Sequence, residues 1–369
     1  MAYIFTSVRF MLTRFKAVIY SSCAQLACAP LALAVLALVA VPTCSSTQSF
    51  GWVWASQAMA ASYTPDPNHQ YNTSGNASSV VRSGIGAYQV VFAGLGGVHG
   101  GNVQITARGP DSVRCKVAGW QADGKVVTAN VRCFEGRDPA DSEFMASYEA
   151  TSAADPGLAY AHYDPPATPT VTVIPDPARA WNVSGVYLPI HSVLLSVRVN
   201  SFAMEHVTAD GAGPEFCGFS VNRVTCWDAS GAPIDTAFSY VNGLAIAPWS
   251  GIQAAYVVYD IAPGNTYPPL TPYTQHNWFI GSIVVTRISA GLYAVLIPGA
   301  AKAGANVLVH VTALDLGASG APVYCKPVTW NPAGADVVVQ VACFHVTTAG
   351  GSGTPTEDGF QLSYLAPPG

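Results

Sequence analysis

The chain has 369 residues, half of them apolar and 10% charged, with 34 Gly, 27 Pro, 17 Tyr, 8 Trp and a formal charge of −5. That composition excludes a disordered polar chain, which lacks the apolar and aromatic residues for a core, and a coiled coil, which would be rich in Glu, Lys and Leu. The acidic balance argues against a nucleic-acid binder, and the length allows two or three domains.

Residues 1–50 open with Arg9, Arg14 and Lys16, carry no acid, and continue into the apolar run Leu31–Val41 before Pro42 and Cys44. A basic start, about a dozen apolar residues and a small-residue exit have the form of a secretory signal peptide. The run is shorter than the roughly 20 residues a spanning helix needs, so no stable membrane span is expected once the leader is removed. Two alternatives remain: an uncleaved anchor over Ala17–Val41, and lipidation at Cys44, which the Val41-Pro42-Thr43 lead-in disfavours. Without the leader's three basic residues the chain carries 13 basic residues against 21 acidic ones. The expected location is extracellular or associated with the cell envelope.

Three imperfect repeats follow, at 51–148, 158–241 and 254–365. Each opens on an aromatic strand: Trp52-Val53-Trp54-Ala55, Ala159-Tyr160-Ala161-His162-Tyr163, and Ala255-Tyr256-Val257-Val258-Tyr259. A Pro-rich stretch then leads to Tyr71-Asn72, Trp181-Asn182 or Trp278-Phe279. Copies one and three share Arg82 with Tyr88 and Arg287 with Tyr293, then Asn102–Ala107 and Asn306–Ala313. They also share Cys115 with Trp120, Cys325 with Trp330, Cys133-Phe134, Cys343-Phe344, and Phe144 with Tyr148 against Phe360 with Tyr364. Copy two is shorter. It keeps Val207-Thr208-Ala209, Cys217 and Cys226-Trp227, but not the Arg-to-Tyr hairpin signature. Because Trp52–Ala55 opens copy one, cleavage after Ala58-Met59-Ala60 would remove a strand, and the mature start is expected before Gly51.

No stretch after Gly51 has helical periodicity. Val80–Arg82, Tyr88–Phe92, Val103–Thr106 and Val126–Phe134 are short alternating runs between Gly, Asp and Pro, the pattern of an antiparallel sandwich or barrel. Ser83-Gly84-Ile85-Gly86 and Ser289-Ala290-Gly291 read as hairpin connections. The fold class is therefore all-β: three tandem antiparallel, jelly-roll-like sandwiches. Three of nine cysteines, Cys23, Cys28 and Cys44, lie in the leader. The other six fall two per repeat, favouring Cys115–Cys133, Cys217–Cys226 and Cys325–Cys343, the first bridging strands on either side of a turn at Trp120.

The run Trp52–Ala55, Arg82-x5-Tyr88-x-Val90-x-Phe92-x-Gly94-Leu95, Gly101–Ala107, Cys115-Lys116-Val117 and Val131–Phe134 resembles a repeat unit of uncharacterised secreted proteins of actinobacteria and related bacteria. More remotely, the Gly-x-Tyr-x-Val-x-Phe strand and the late Asp-x-x-Phe are similar to the β-sandwiches of phage-tail tips and H-type lectins. Such a resemblance implies a fold and leaves the ligand open.

Chemistry-bearing motifs are sparse. There is no H-E-x-x-H helix, G-x-S-x-G elbow, phosphate loop or calcium loop, so no catalytic residue, metal or cofactor is expected. His69, His99, His162, His191, His206, His276, His310 and His345 are read as scattered, none at an aligned position. Asp141, Asp235 and Asp358 recur before the last aromatic strand and read as turn caps, or as acids of a polysaccharide hydrolase. Arg82 and Arg287 are expected beside the rings of Tyr88 and Tyr293, or on a ligand. Trp52, Trp54, Trp120, Trp181, Trp278 and Trp330 exceed the needs of a small core and are expected to pack within or between domains, with Trp120 and Trp330 the candidate stacking platforms for a glycan or anchors for a cell-surface protein. The expected function is non-catalytic binding or structural support outside the cell, with triplication raising avidity. A secreted hydrolase is the alternative.

Overall fold

In the computed structural model, residues 48–367 are described, apart from 99, 152–157, 166–182, 189–191, 198–204, 221–222, 244–250, 261–265, 268–274, 304–305, 315–321 and 348–350. The leader with its three cysteines, Trp181-Asn182, His99 and His191 lie outside the described residues. No α-helix occurs among the described residues, and none of their helices is long and apolar enough to cross a membrane.

Copy one is two facing sheets. One runs Gln70–Asn72, Gln48–Ala55, Glu143–Thr151, Asn102–Arg108. The other runs Ser62–Tyr63, Ser79–Gly84, Ala87–Ala93, Val126–Glu135, Arg114–Asp123, with Asp138–Pro139 beside Val126–Glu135. Alternation puts Val53, Tyr88, Val90, Phe92, Ile105, Val131, Phe144 and Tyr148 into one core between them. Copy three repeats this strand for strand. Gln275–Asn277, Gln253–Tyr259, Gly359–Ala366 and Leu308–Leu314 face Thr266–Tyr267, Val284–Ser289, Leu292–Ile297, Asp336–His345 and Val323–Ala333.

The two hairpin turns explain their glycines. Gly86 and Gly291 hold φ of 60° and 65°, and their carbonyls accept the Cys133 and Cys343 N–H groups at 2.8 Å. A Cβ there would meet the Cys133 or Cys343 oxygen at 2.4 or 2.7 Å, so both the left-handed backbone and the space demand Gly.

Copy two keeps three strands of its first sheet, Leu158–Tyr163, Phe238–Gly243 and Glu205–Ala209. Its second sheet is Val183–Leu188, Ser192–Val197, Arg223–Trp227 and Phe216–Ser220. The hairpin whose Arg-to-Tyr signature is missing is nevertheless formed, with Val183 opposite Val197. Its ladder is backbone hydrogen bonding, which does not require those side chains.

The disulfides are Cys115–Cys133, Cys217–Cys226 and Cys325–Cys343. Each joins directly opposed residues of neighbouring strands. One expectation needs correcting: Trp120 is not at the turn. It lies inside Arg114–Asp123 opposite Ala129, next to a bulge between Val117 and Trp120, and the chain reverses at Gly124. Bridges spanning 18 residues restrict the unfolded chain by about 3 kcal/mol each. The pair Cys325→Ser and Cys343→Ser should lower unfolding free energy by about that amount in denaturant titration. An unchanged midpoint would show that the bridge adds no stability.

Candidate functional site

The first sheets of the three copies face one another, and the copies close a ring. Residue pairing aligns Gln104, His206 and His310, each two positions before a Thr of the Thr-Ala pairs at 106, 208 and 312. On the ring axis these positions bond from copy to copy. His310 Nδ1 pairs with Thr106 Oγ1 at 2.9 Å, His206 Nδ1 pairs with Thr312 Oγ1 at 2.9 Å, and Gln104 Nε2 donates to Ser239 O at 3.1 Å. The other ring nitrogens meet Ser147 and Ser363 hydroxyls at 2.8 and 2.6 Å. Two histidines therefore do recur at an aligned position, contrary to the scattered reading. Gln104 of copy one hid the pattern, since an amide can make the same kind of bond. Burial pushes His206 down to about 3 and His310 well below its usual value, so both rings are neutral. No group of three metal-ligating side chains is found among the described residues.

Around this axis run three seams, each built from equivalent positions. The residue after each Thr-Ala pair is Arg108, Asp210 or Leu314, and Trp54, His162 and Val258 are the matching positions of the opening strands. Between copies one and two, Asp210 accepts the Gly119 N–H at 2.7 Å and lies 3.6 Å from His162 Nδ1, while Gly211 N donates to Val117 O at 3.1 Å. Between copies two and three, Leu314 and Val258 pack on an apolar cluster, and Phe219 pairs with Leu314 to join two sheets into one of eight strands.

The seam between copies three and one is different. Arg108 lies over both Trp54 and Trp330, 4.5 and 4.7 Å from their ring centres, with the indoles edge-on at 5.1 Å. Glu143 Oε2 takes Arg108 Nη1 at 2.6 Å and Trp54 Nε1 at 3.1 Å, which neutralises the guanidinium locally. Beside them opens a cavity of about 370 Å³, lined also by Asn331, Val337 and Tyr364. Against protein families, curated proteins and solved structures, the chain has no match.

The four residues singled out in the sequence separate into three environments. Trp330 is at the cavity. Trp120, its counterpart, is 6% exposed, edge-on to Tyr148 in the core of copy one, and therefore presents no stacking face. Arg82 forks onto Asp141 at 2.8 and 2.7 Å, and Asp141 also accepts from Gly86 N at 3.0 Å and the Tyr88 hydroxyl at 2.9 Å. Arg82 holds the Asp141 carboxyl down at about 2. In copy three the acid is Glu357, not Asp358: Arg287 Nε donates to it at 2.7 Å and the Tyr293 hydroxyl at 2.8 Å. Asp358 corresponds to Ser142, since each offers its N–H to the Tyr hydroxyl. Both arginines thus pair with a carboxylate rather than lying on a Tyr ring, because a charged fork is a stronger partner than a ring face. In the sequence Trp54 is one of six surplus tryptophans, and Arg108 and Glu143 belong to no motif. Their only sequence signal is divergence at positions that the repeats otherwise align.

Proposed function

We propose that the chain is a non-catalytic extracellular binding protein whose three fused copies build one ligand site, the seam cavity between Trp54, Arg108 and Trp330. Three disulfides in an all-β fold are compatible with an extracellular protein. The observation that carries the binding reading is the contrast among the seams: one is pinned by Asp210, one is fused through Leu314, and the third holds an aromatic-lined cavity of about 370 Å³. Indoles offer apolar area to the C–H face of a sugar, while Asn331 and Thr329 in the lining supply hydrogen-bonding groups. With Arg108 balanced by Glu143, a neutral glycan suits the site better than an anionic one. The recurrent acids support a non-catalytic reading, because Asp141 and Glu357 are each occupied by an arginine and a tyrosine.

A panel of soluble glycans and cell-wall fragments, followed by calorimetry, tests this. Binding by the wild-type protein should fall about tenfold or more in Trp330→Ala, the scale of a lost anchor residue, while Trp120→Phe leaves it unchanged. Equal affinity in Trp330→Ala would overturn the site, and turnover of a polysaccharide would favour the hydrolase.

A further inference from the structure

At one end of the ring axis the residues flanking the first cysteine of each copy converge. Arg114, Phe216 and Tyr324 precede it; Lys116, Gly218 and Lys326 follow it. All of these except Gly218, together with the hydroxyl-bearing Thr106, Thr208 and Thr312, line a cavity of about 60 Å³. The only carboxylate lining it is Glu215, against three cations.

Those cations are buried, with exposures of 6% for Arg114, 3% for Lys116 and 1% for Lys326. Lys116 pairs with Glu215 at 2.8 Å. Lys326 reaches out of the lining to Asp111, whose side chain is 50% exposed, and to Val113 O at 2.8 Å. Arg114 has no carboxylate on its nitrogens. Its Nη2 donates to the Gly136 and Pro214 carbonyls at 2.8 and 2.7 Å, and its guanidinium lies over Phe216 and Tyr324 at 5.0 and 5.5 Å. The Tyr324 hydroxyl donates its proton to Ser112 O and leaves its oxygen beside the guanidinium as a weak, neutral acceptor. Arg114 Nε and Nη1 meet no acceptor among the described residues. The nearby Asp210 is engaged by the Gly119 N–H and faces His162. Burial lowers all three cations from their usual values, the mark of charge that its surroundings undercompensate.

A buried guanidinium with two unmet nitrogens and one carboxylate shared among three cations is costly, and a water occupies only about 10–15 Å³ by this measure, so the space admits an ion larger than one water. Each ammonium has three N–H groups. Lys116 uses one and Lys326 two, which leaves donors on both. We propose that this axial cavity binds a small monovalent inorganic anion of halide size, seated against Arg114 with Lys116 and Lys326 beside it. The site exists only in the closed ring, because its cations come from copies one and three and its Glu215 from copy two.

The test is thermal unfolding of the full mature protein in gluconate buffer, an anion too large for the cavity, with chloride or bromide replacing gluconate at constant ionic strength. The midpoint should rise and saturate with halide, as binding to the folded state alone requires. Crystals soaked in bromide should show its anomalous signal beside Arg114. Arg114→Met should abolish the halide response. If that variant does not fold, Glu215→Gln serves instead: it removes the lining carboxylate and should lower the halide concentration at half-response several-fold. A midpoint that is the same in gluconate and halide, a rise that never saturates, or a response to sulfate alone would each overturn the halide site.

Discussion

Trp52→Ala is expected to lower unfolding free energy by about 3–5 kcal/mol. Trp52 is fully buried, stacked on Tyr71 at 4.6 Å and packed on Phe50 at 5.3 Å, and its Nε1 donates to Asn306 Oδ1 of copy three at 3.2 Å. The cluster around it takes Met145 from copy one and Ile252, Ala254, Tyr256, Leu308 and Leu365 from copy three. Truncation thus removes apolar contact from both copies and leaves the Asn306 amide oxygen without its donor. Denaturant unfolding of the variant should show one transition at a lower midpoint. Independent copies would instead give a second transition at the wild-type midpoint, and that result would refute the coupling. Trp52→Phe should recover most of the packing.

Acid should unfold the ring through its axial histidines. In the unfolded chain His206 titrates near 6.5, whereas in the fold burial holds it at about 3. Between those values the unfolded state binds the extra proton, so stability falls as pH falls through that window. At pH 4 the His206 contribution to this loss is roughly 3 kcal/mol. His310 adds to it in the same direction, since burial and the neighbouring His206 ring, 5.5 Å away, both disfavour its charged form. The opposite limb comes from Glu149 and Glu205, whose carboxyls burial raises to about 8 and about 7. The folded state there keeps protons that the unfolded chain has released, so stability falls as pH rises from about 4.5 to about 8. The optimum should lie in mildly acidic solution. Replacing both histidines by Gln, the residue that copy one carries as Gln104, should flatten the acid limb and leave the alkaline limb in place. An acid limb unchanged in the double variant would show that other groups cause it.

The all-β class was legible because alternation and turn residues are local properties. Val80–Arg82, Tyr88–Phe92, Val103–Thr106 and Val126–Phe134 all lie within observed strands, and Gly86 and Gly291 sit in the tight turns that their spacing indicated. The one-residue error at Asp358 has a local cause too. Counting back from Phe360 finds two adjacent acids, and only the reach of Arg287 and Tyr293 selects Glu357. Trp120 and Trp330 are indistinguishable by spacing from their cysteines and oppose equivalent residues, Ala129 and Val339, yet Trp120 packs against Tyr148 in the core of copy one while Trp330 meets Trp54 and Arg108 of another copy across a seam.

What the amino-acid order determined by itself was the repeat, the strands within it and the cysteines close enough along the chain to face each other across a hairpin. These depend on side-chain alternation, turn chemistry and short loops. The closing of the ring was decided by the tertiary structure alone. Arg108 between two tryptophans, His206 and His310 on the axis, and Arg114 on the Pro214 carbonyl each depend on groups a hundred or more residues apart. Such groups become neighbours only when three sandwiches bury their first sheets against one another, and from then on burial, rather than residue type, sets their charge and their partners.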